Sequence, residues 1–577
     1  MKHAFWIVLT WALTASAASP ARSKLARELW TPNAQGAVKV IVQWKGAPTA
    51  EHDQKVLGRG GAVGRRFGFI KAGAYSVPAA ALADLASDPD VVYISPDRPV
   101  KGSLDYTAAA VNAKAAWIAG YTGKGIGVAV LDSGMVQSAD LTLNNNIVYN
   151  QDFTGEIKQN ANVTDAHNAP DEFGHGQHVA GIIASSGKSS ICGNCTRPLI
   201  GIAPGASLIN LRVLDENGAG TDSTVIAAIN QAIALKSKYN IRVMNLSLGR
   251  PVFESYTVDP LCQALEQAWQ AGIVVVVAAG NDGRDNSFGT NGYGTITAPG
   301  NDPYVITVGA MKSMGTYTRT DDLIASYSSK GPTLIDGVVK PDLVAPGNQV
   351  VSLQAGNDVT LVAQYPANIP AISYYQNVPG PVNGAAALAP SASYFTLNGT
   401  SMATPVVSAA AADLLQAQPS LTPDQVKARL MLTAYKTFPT SSTATDPTTG
   451  QSYLSYYDIF TVGAGYLDIA AALADTDVAS GTAQSPFVME NSDGTATFVA
   501  PNGAVWSTRG VWGTQEVWGT RGVWGTQVDV AAQGVWGASV TLDDSLASAL
   551  RGVWGTQGVW DTSTETASES IAIAGEN

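Results

Sequence analysis

The feature that most narrows what this chain can fold into is a series of apolar runs too hydrophobic to leave either face of a sheet in water. Residues 127–131, 207–214, 243–248, 273–278 and 304–308 read as strands of this kind. Helical patterns follow His175 and cover 223–235, 261–270 and 402–416. Strands buried on both faces and separated by helices predict an α/β fold with a mostly parallel sheet, from about Ala110 to Leu473. In such sheets the functional residues gather beyond the carboxyl ends of the strands.

The flanks have a different character. Residues 1–19 read as a secretory signal: Lys2 and His3, an apolar stretch from Ala4 to Leu13, and Ala15-Ser16-Ala17 as an A-x-A cleavage site. The stretch is shorter than the roughly 20 residues of a transmembrane helix, so export without a transmembrane anchor is expected. Residues 37–100 alternate strand, helix, strand, strand, helix, strand, a ferredoxin-like α+β pattern. Residues 476–503 are rich in Ser, Thr, Asp and Gly and predict a linker, and 564–577 a disordered tail.

Between them, 504–563 carry a GVWGTQ-type hexapeptide repeat. It holds Trp506, Trp512, Trp518, Trp524, Trp536, Trp554 and Trp560, more than half of the 13 tryptophans in the chain. In an extended chain a period of six puts every Trp on one face, whereas a helix scatters them around its cylinder. The reading is an extended repeat whose Trp row packs on the rest of the chain or contacts a surface.

Three islands carry chemistry. Val128-Ala-Val-Leu-Asp132-Ser-Gly134 is a buried strand ending in a carboxylate. Asp171-Glu-Phe-Gly-His175-Gly-Gln-His178 is a glycine turn delivering a histidine to a helix start. Asn398-Gly-Thr-Ser401-Met-Ala-Thr-Pro405 sets a serine hydroxyl beside the unpaired N–H groups of a helix N-terminus. A serine becomes a nucleophile when a base takes its proton, and the base needs a buried acid to hold its tautomer. The chain has five histidines. His3 lies in the signal, His52 in the small N-terminal module, and His167 in a polar loop. His178 follows His175 by three residues, but H-x-x-H without a further ligand is a weak metal signal, and packing is the expected role. A fourth element, Val276-Val-Ala-Ala-Gly280-Asn281, places a carboxamide just past a strand, where it can donate to an oxygen gaining charge.

In the order Asp132, His175, Ser401 these islands resemble the subtilisin-like (subtilase) serine peptidases; that chain order is the known one for subtilisin and was not obtained from this sequence. Asn245-Leu-Ser-Leu-Gly249, Ser326-Tyr-Ser-Ser-Lys-Gly331-Pro, Lys340-Pro-Asp-Leu-Val-Ala-Pro-Gly347 and Gly463-Ala-Gly-Tyr-Leu-Asp468 extend the resemblance over about 105–475. It implies that Asp132 orients His175, that His175 acts as base and then acid, that Ser401 attacks the scissile carbonyl, and that Asn281 helps bind the oxyanion. It also implies that 37–100 are an inhibitory propeptide. Gly218-Ala219-Gly220 and Leu246-Ser247-Leu248-Gly249 match the edges that pair with substrate backbone. Three departures stand out. Gln177 replaces the usual Thr between the histidines, Cys192-Gly-Asn-Cys195 occupies a loop that binds calcium in many relatives, and 355–395 are longer than in compact relatives.

The expectation is therefore a secreted or extracellular endopeptidase, made as an autoprocessed zymogen, acting on protein or peptide substrates and needing no cofactor for its chemistry. A structural calcium has no support in the sequence, and cell-surface association stays open. With 46 acidic against 34 basic residues the net charge is −12, which disfavours nucleic acid as a partner. Cys192 and Cys195 predict a local disulfide in an exported chain. The rival is a binding or adhesion protein working through its Trp-rich repeats, with a degenerate peptidase domain.

Overall fold

The computed structural model of the chain describes residues 24–26, 29, 36–68, 71–96, 104–155, 169–287, 289–378, 386–446, 449–490, 495–501, 503–505, 539–541 and 576. The signal, His167 and almost all of the Trp repeat lie outside these residues. The chain divides into two units, Met1–Val100 and Lys101–Asn577.

The first unit runs β1 (Ala37–Trp44), α1 (Ala50–Leu57), β2 (Ala62–Phe67), β3 (Ala72–Pro78), α2 (Leu82–Ser87), β4 (Val91–Pro96). Its antiparallel sheet has the order β2-β3-β1-β4, the element sequence expected from the alternation of residues. Val40, Val42, Trp44, Val56, Val77 and Leu85 form its own core.

The second unit opens with α3 (Leu104–Ala110) and α4 (Ala113–Ile118). It continues through β5 (Gly127–Asp132), α5 (Ala139–Thr142), β6 (Ile147–Asp152), α6 (His175–Ala184), β7 (Ser207–Arg212), α7 (Asp222–Tyr239), β8 (Ile241–Leu246) and α8 (Pro260–Gln270). Then come β9 (Val274–Ala278), β10 (Ile306–Lys312), β11 (Leu323–Ile324), β12 (Leu343–Pro346), β13 (Val350–Leu353), α9 (Thr360–Gln364), β14 (Tyr394–Leu397), α10 (Thr400–Ala417) and α11 (Pro423–Thr433). The central sheet has the order β11-β10-β9-β8-β5-β7-β6, with β12 also on β10. Every pairing is parallel except β10–β11. Each residue of β5, β9 and β10 is buried, and burying an aliphatic side chain stabilises by about 1.5–3 kcal/mol. These strands therefore form the middle of the layer.

Three expectations need correction. The strand expected over 243–248 ends at Leu246, and Ser247–Gly249 leave the sheet. Residues 476–503, expected to be a linker, include Ala483 and Ser485, both fully buried. In this stretch β15 (Phe487–Glu490) pairs with β16 (Thr495–Val499), and β16 pairs in turn with β17 (Ser539–Thr541) from further along the chain. Polar composition concealed this packing, because the polar groups are hydrogen-bonded to the unit. Glu576, within the stretch expected to be disordered, is buried as well. Among the described residues, no helix is long and apolar enough to cross a membrane.

Candidate active site

The site assembles at the carboxyl ends of the parallel strands. Asp132 is the last residue of β5 and is 1% exposed. His175 is the first residue of α6, and its Nδ1 lies 2.8 Å from Asp132 Oδ1. Gly134 and Gly176 make this approach possible. A Cβ on Gly134 would lie 2.3 Å from the Pro170 carbonyl oxygen, and one on Gly176 would lie 2.3 Å from that of Gly134. Gly134 also holds φ at +121°, a conformation that favours glycine.

Asp171 ties the two segments together. Its Oδ1 accepts from Ser133 Oγ at 2.8 Å and from the Gly174 N–H at 2.7 Å, and its Oδ2 from the Gln177 N–H at 2.7 Å. Burial pushes its carboxyl up to about 6 against these donors. Burial opposes the charge on His175 as well, but Asp132 outweighs it, so the imidazole sits above its ordinary value. Gln177, at the usual threonine position, accepts from the Val136 N–H at 2.9 Å through Oε1, while its buried Nε2 has no hydrogen-bond partner among the described residues. His178 is fully buried, with Nε2 3.0 Å from the Val350 and 3.1 Å from the Phe395 carbonyl oxygens. Burial, helped by His175, pushes its imidazole down to about 3. The neutral ring directs its Nε2–H at these two backbone carbonyls.

Ser401 is the second residue of α10, which starts directly after the turn Asn398–Gly399. Gly399 takes φ +139°, and a Cβ there would crowd Asn281 Nδ2 at 3.3 Å. The Asn281 carboxamide is fixed through its oxygen: Oδ1 accepts from the Thr400 N–H at 2.9 Å and from Thr400 Oγ1 at 3.2 Å. That leaves Nδ2 as the group free to donate. The Ser401 hydroxyl donates to the Ser247 carbonyl at 3.2 Å rather than to His175. Catalytic hydrogen bonds are often made only once a substrate is bound, and a rotation about χ1 redirects this hydroxyl.

His175, Asn281 and Ser401 line one cleft of about 660 Å³, and Asp132 stands behind His175. Gly218, Ala219 and Gly220 line the same cleft, as do Ser247, Leu248 and Gly249. Leu246 does not line it; as the last residue of β8 it is buried in the core. Thr360, Leu361, Gln364 and Tyr365 also line the cleft, so the long 355–395 stretch does modify its rim. Ser133, Asp171 and Thr400 are the supporting residues to which sequence reasoning assigned no role, although each sits inside a motif it singled out. Cys192 and Cys195 are joined as a disulfide. Among the described residues, no group of three or more His, Cys, Asp or Glu is placed to hold a metal ion.

The subtilase family model matches residues 123–457. Serine protease AprX of Bacillus subtilis (strain 168) is 36% identical over 375 residues, covering 63% of this chain and 74% of that protein. Subtilisin E of the same strain is 32% identical over 405 residues, 69% of this chain and 85% of that protein. The extracellular serine proteinase of Thermus sp. (strain Rt41A) is 32% identical over 371 residues, 62% and 69% respectively. A family model that spans more than half of the sequence, with relatives matched over most of their length, means that this chain belongs to the subtilase family and is a subtilisin-like serine endopeptidase.

Proposed function

We propose that Asp132, His175 and Ser401 are the catalytic triad and that Asn281 supplies the side-chain donor of the oxyanion hole. The observation that carries the reading is the 2.8 Å Asp132–His175 contact behind a cleft that His175, Ser401 and Asn281 line together. Asp132 holds the Nδ1–H tautomer, so Nε2 is free to accept the Ser401 proton. Ser401 Oγ bonds to the scissile carbonyl carbon, and the oxygen that gains charge is met by Asn281 Nδ2 and the Ser401 N–H. His175 then passes its proton to the departing amine, leaving an acyl-enzyme. A water repeats the sequence, giving its proton to His175, and the acid is released. Every step is carried by these side chains, and none requires a cofactor.

Substrate backbone adds as a strand between Gly218–Gly220 and Ser247–Gly249. Ala298 on the cleft wall supports a medium-sized apolar side chain at the residue whose carbonyl is attacked, and cleavage of a peptide library would read this preference. The first unit is proposed as an inhibitory propeptide released between about Pro99 and Ala110 after export. The extracellular name of the Thermus relative favours export, as does the signal-like start.

Ser401→Ala tests the reading. It should abolish hydrolysis of unfolded protein and labelling by a fluorophosphonate probe, and should leave the N-terminal unit attached. An alanine variant that is still labelled, or still processed at the same bond, would overturn the assignment. The rival of a degenerate peptidase domain predicts a missing catalytic residue, and none of the four is missing from the sequence.

A further inference from the structure

Glu576 takes no part in the chemistry above, yet it is seated in a specific socket on the second unit. Its Oε1 accepts from Arg284 Nη2 at 2.7 Å, from the Ser326 N–H at 3.0 Å and from the Ser326 hydroxyl. Its Oε2 lies 3.0 Å from Lys312 Nζ. The main chain is read as well. The Glu576 N–H donates to Asn348 Oδ1 at 3.0 Å, and its carbonyl accepts from Asn348 Nδ2 at 2.9 Å and from Gln349 Nε2 at 3.3 Å. One carboxamide that pairs with both backbone groups of a single residue acts as a strand edge does, so the socket recognises a peptide residue and not merely an anion.

The two cations explain why the residue is a glutamate. The Arg284 and Lys312 side chains are only 10% and 6% exposed, and a buried cation without an anion is strongly disfavoured. Arg284 has a second carboxylate, Asp446 at 3.2 Å, and lies over the Tyr453 ring. For Lys312, Glu576 is the ion-pair partner found among the described residues. Burial raises the Glu576 carboxyl, but Lys312, Ser326 and Arg284 more than reverse it, leaving the group below its ordinary value. The socket also adjoins the nucleophile turn: the Gly347 carbonyl accepts from the Gly399 N–H at 2.9 Å, and the Gln349 N–H donates to Asn398 Oδ1 at 2.5 Å.

We propose that Arg284, Lys312, Ser326 and Asn348 form a docking site for a glutamyl residue in a peptide segment, and that its ligand is Glu576 of the same chain. Glu576 is thereby held on the peptidase unit by contacts to its side chain and to both of its backbone groups.

Hydrogen exchange of the full chain, carrying Ser401→Ala to prevent self-digestion, tests this. Peptides containing Ser326 and Glu576 should both be protected at a level independent of protein concentration. E576Q should speed exchange at both by about tenfold or more, K312M should do the same, and the double variant should add little. Unchanged protection of Ser326 in a folded E576Q chain would overturn the proposal. If E576Q fails to fold, the parent chain decides: a Glu576 peptide exchanging as fast as an unstructured segment overturns it. Protection that grows with protein concentration would assign the glutamate to a second copy, and would overturn docking within one chain.

Discussion

Asp132 is buried while the His175 side chain keeps 15% exposure, and the carboxylate beside it outweighs the effect of burial on the imidazole. The His175 value is raised, so its contribution to stability is complete below the ordinary 6.5 and is lost as pH rises through the folded value. Activity needs the neutral ring and follows the opposite course. The ascending limb of kcat/KM should therefore sit above pH 6.5. Asp132→Asn should move that limb to lower pH, because burial alone depresses the imidazole, and should lower kcat by about 10⁴, the loss known for the same change in another serine peptidase. A pH–rate profile with an unmoved limb would contradict the coupling. Asn281→Ala should cost about 10²–10³ in kcat with KM little changed; this range is that of the matching donor in subtilisin and was not obtained from this chain. At this scale the sequence was highly legible. The turn around His175 distinguished it from His178, which the structure places against two backbone carbonyls. Asp171 and Thr400 were not legible as positioning groups, since their roles depend on hydrogen bonds to segments that only the fold brings near.

At the scale of elements, legibility followed burial. β5 and β9 announced themselves because both faces are apolar and buried. β6 was missed: Ile147–Asp152 lies at the sheet edge with only its first residue buried, so its polar residues give no strand signal. β12 was missed because four residues are too few to show a period, although its parallel register on β10 is regular. The turn between β5 and α5 is sensitive to a single atom. Gly134→Ala adds a Cβ 2.3 Å from a backbone oxygen at φ +121°. The conformation alone costs about 1–3 kcal/mol, and the clash adds to it. Thermal unfolding of the Ser401→Ala chain should show a clear fall in Tm with Gly134→Ala, accompanied by lost activity when Ser401 is present. An unchanged Tm would show that the turn relaxes without cost.

For the molecule as a whole, the peptidase core is closed by a buried charge network that reaches into the stretch expected to be a linker. Asp342 faces Lys340 Nζ at 2.7 Å and Lys427 Nζ at 3.1 Å, all fully buried, and accepts from Ser485 Oγ at 2.6 Å. Burial raises the Asp342 carboxyl, but the two lysines outweigh it and leave it lowered. Its stabilising contribution is therefore present above the unfolded value of 3.8 and is lost as pH falls through the folded one. Asp342→Asn leaves two buried cations unmatched and should cost about 3–5 kcal/mol, seen as a lower denaturation midpoint at neutral pH and a flatter acid dependence. A midpoint unaltered at pH 7 would refute it. The sequence by itself determined the α/β class with its mostly parallel sheet, and the family, because strand hydrophobicity and motif spacing are local properties written along the chain. Only the tertiary structure decided which polar residues support the site, that the Ser-rich stretch is packed, and that Glu576 has a socket. Each of these rests on a charge or hydrogen-bond partner far away in sequence, and a polar residue does not reveal from its neighbours whether it will face water or a buried partner.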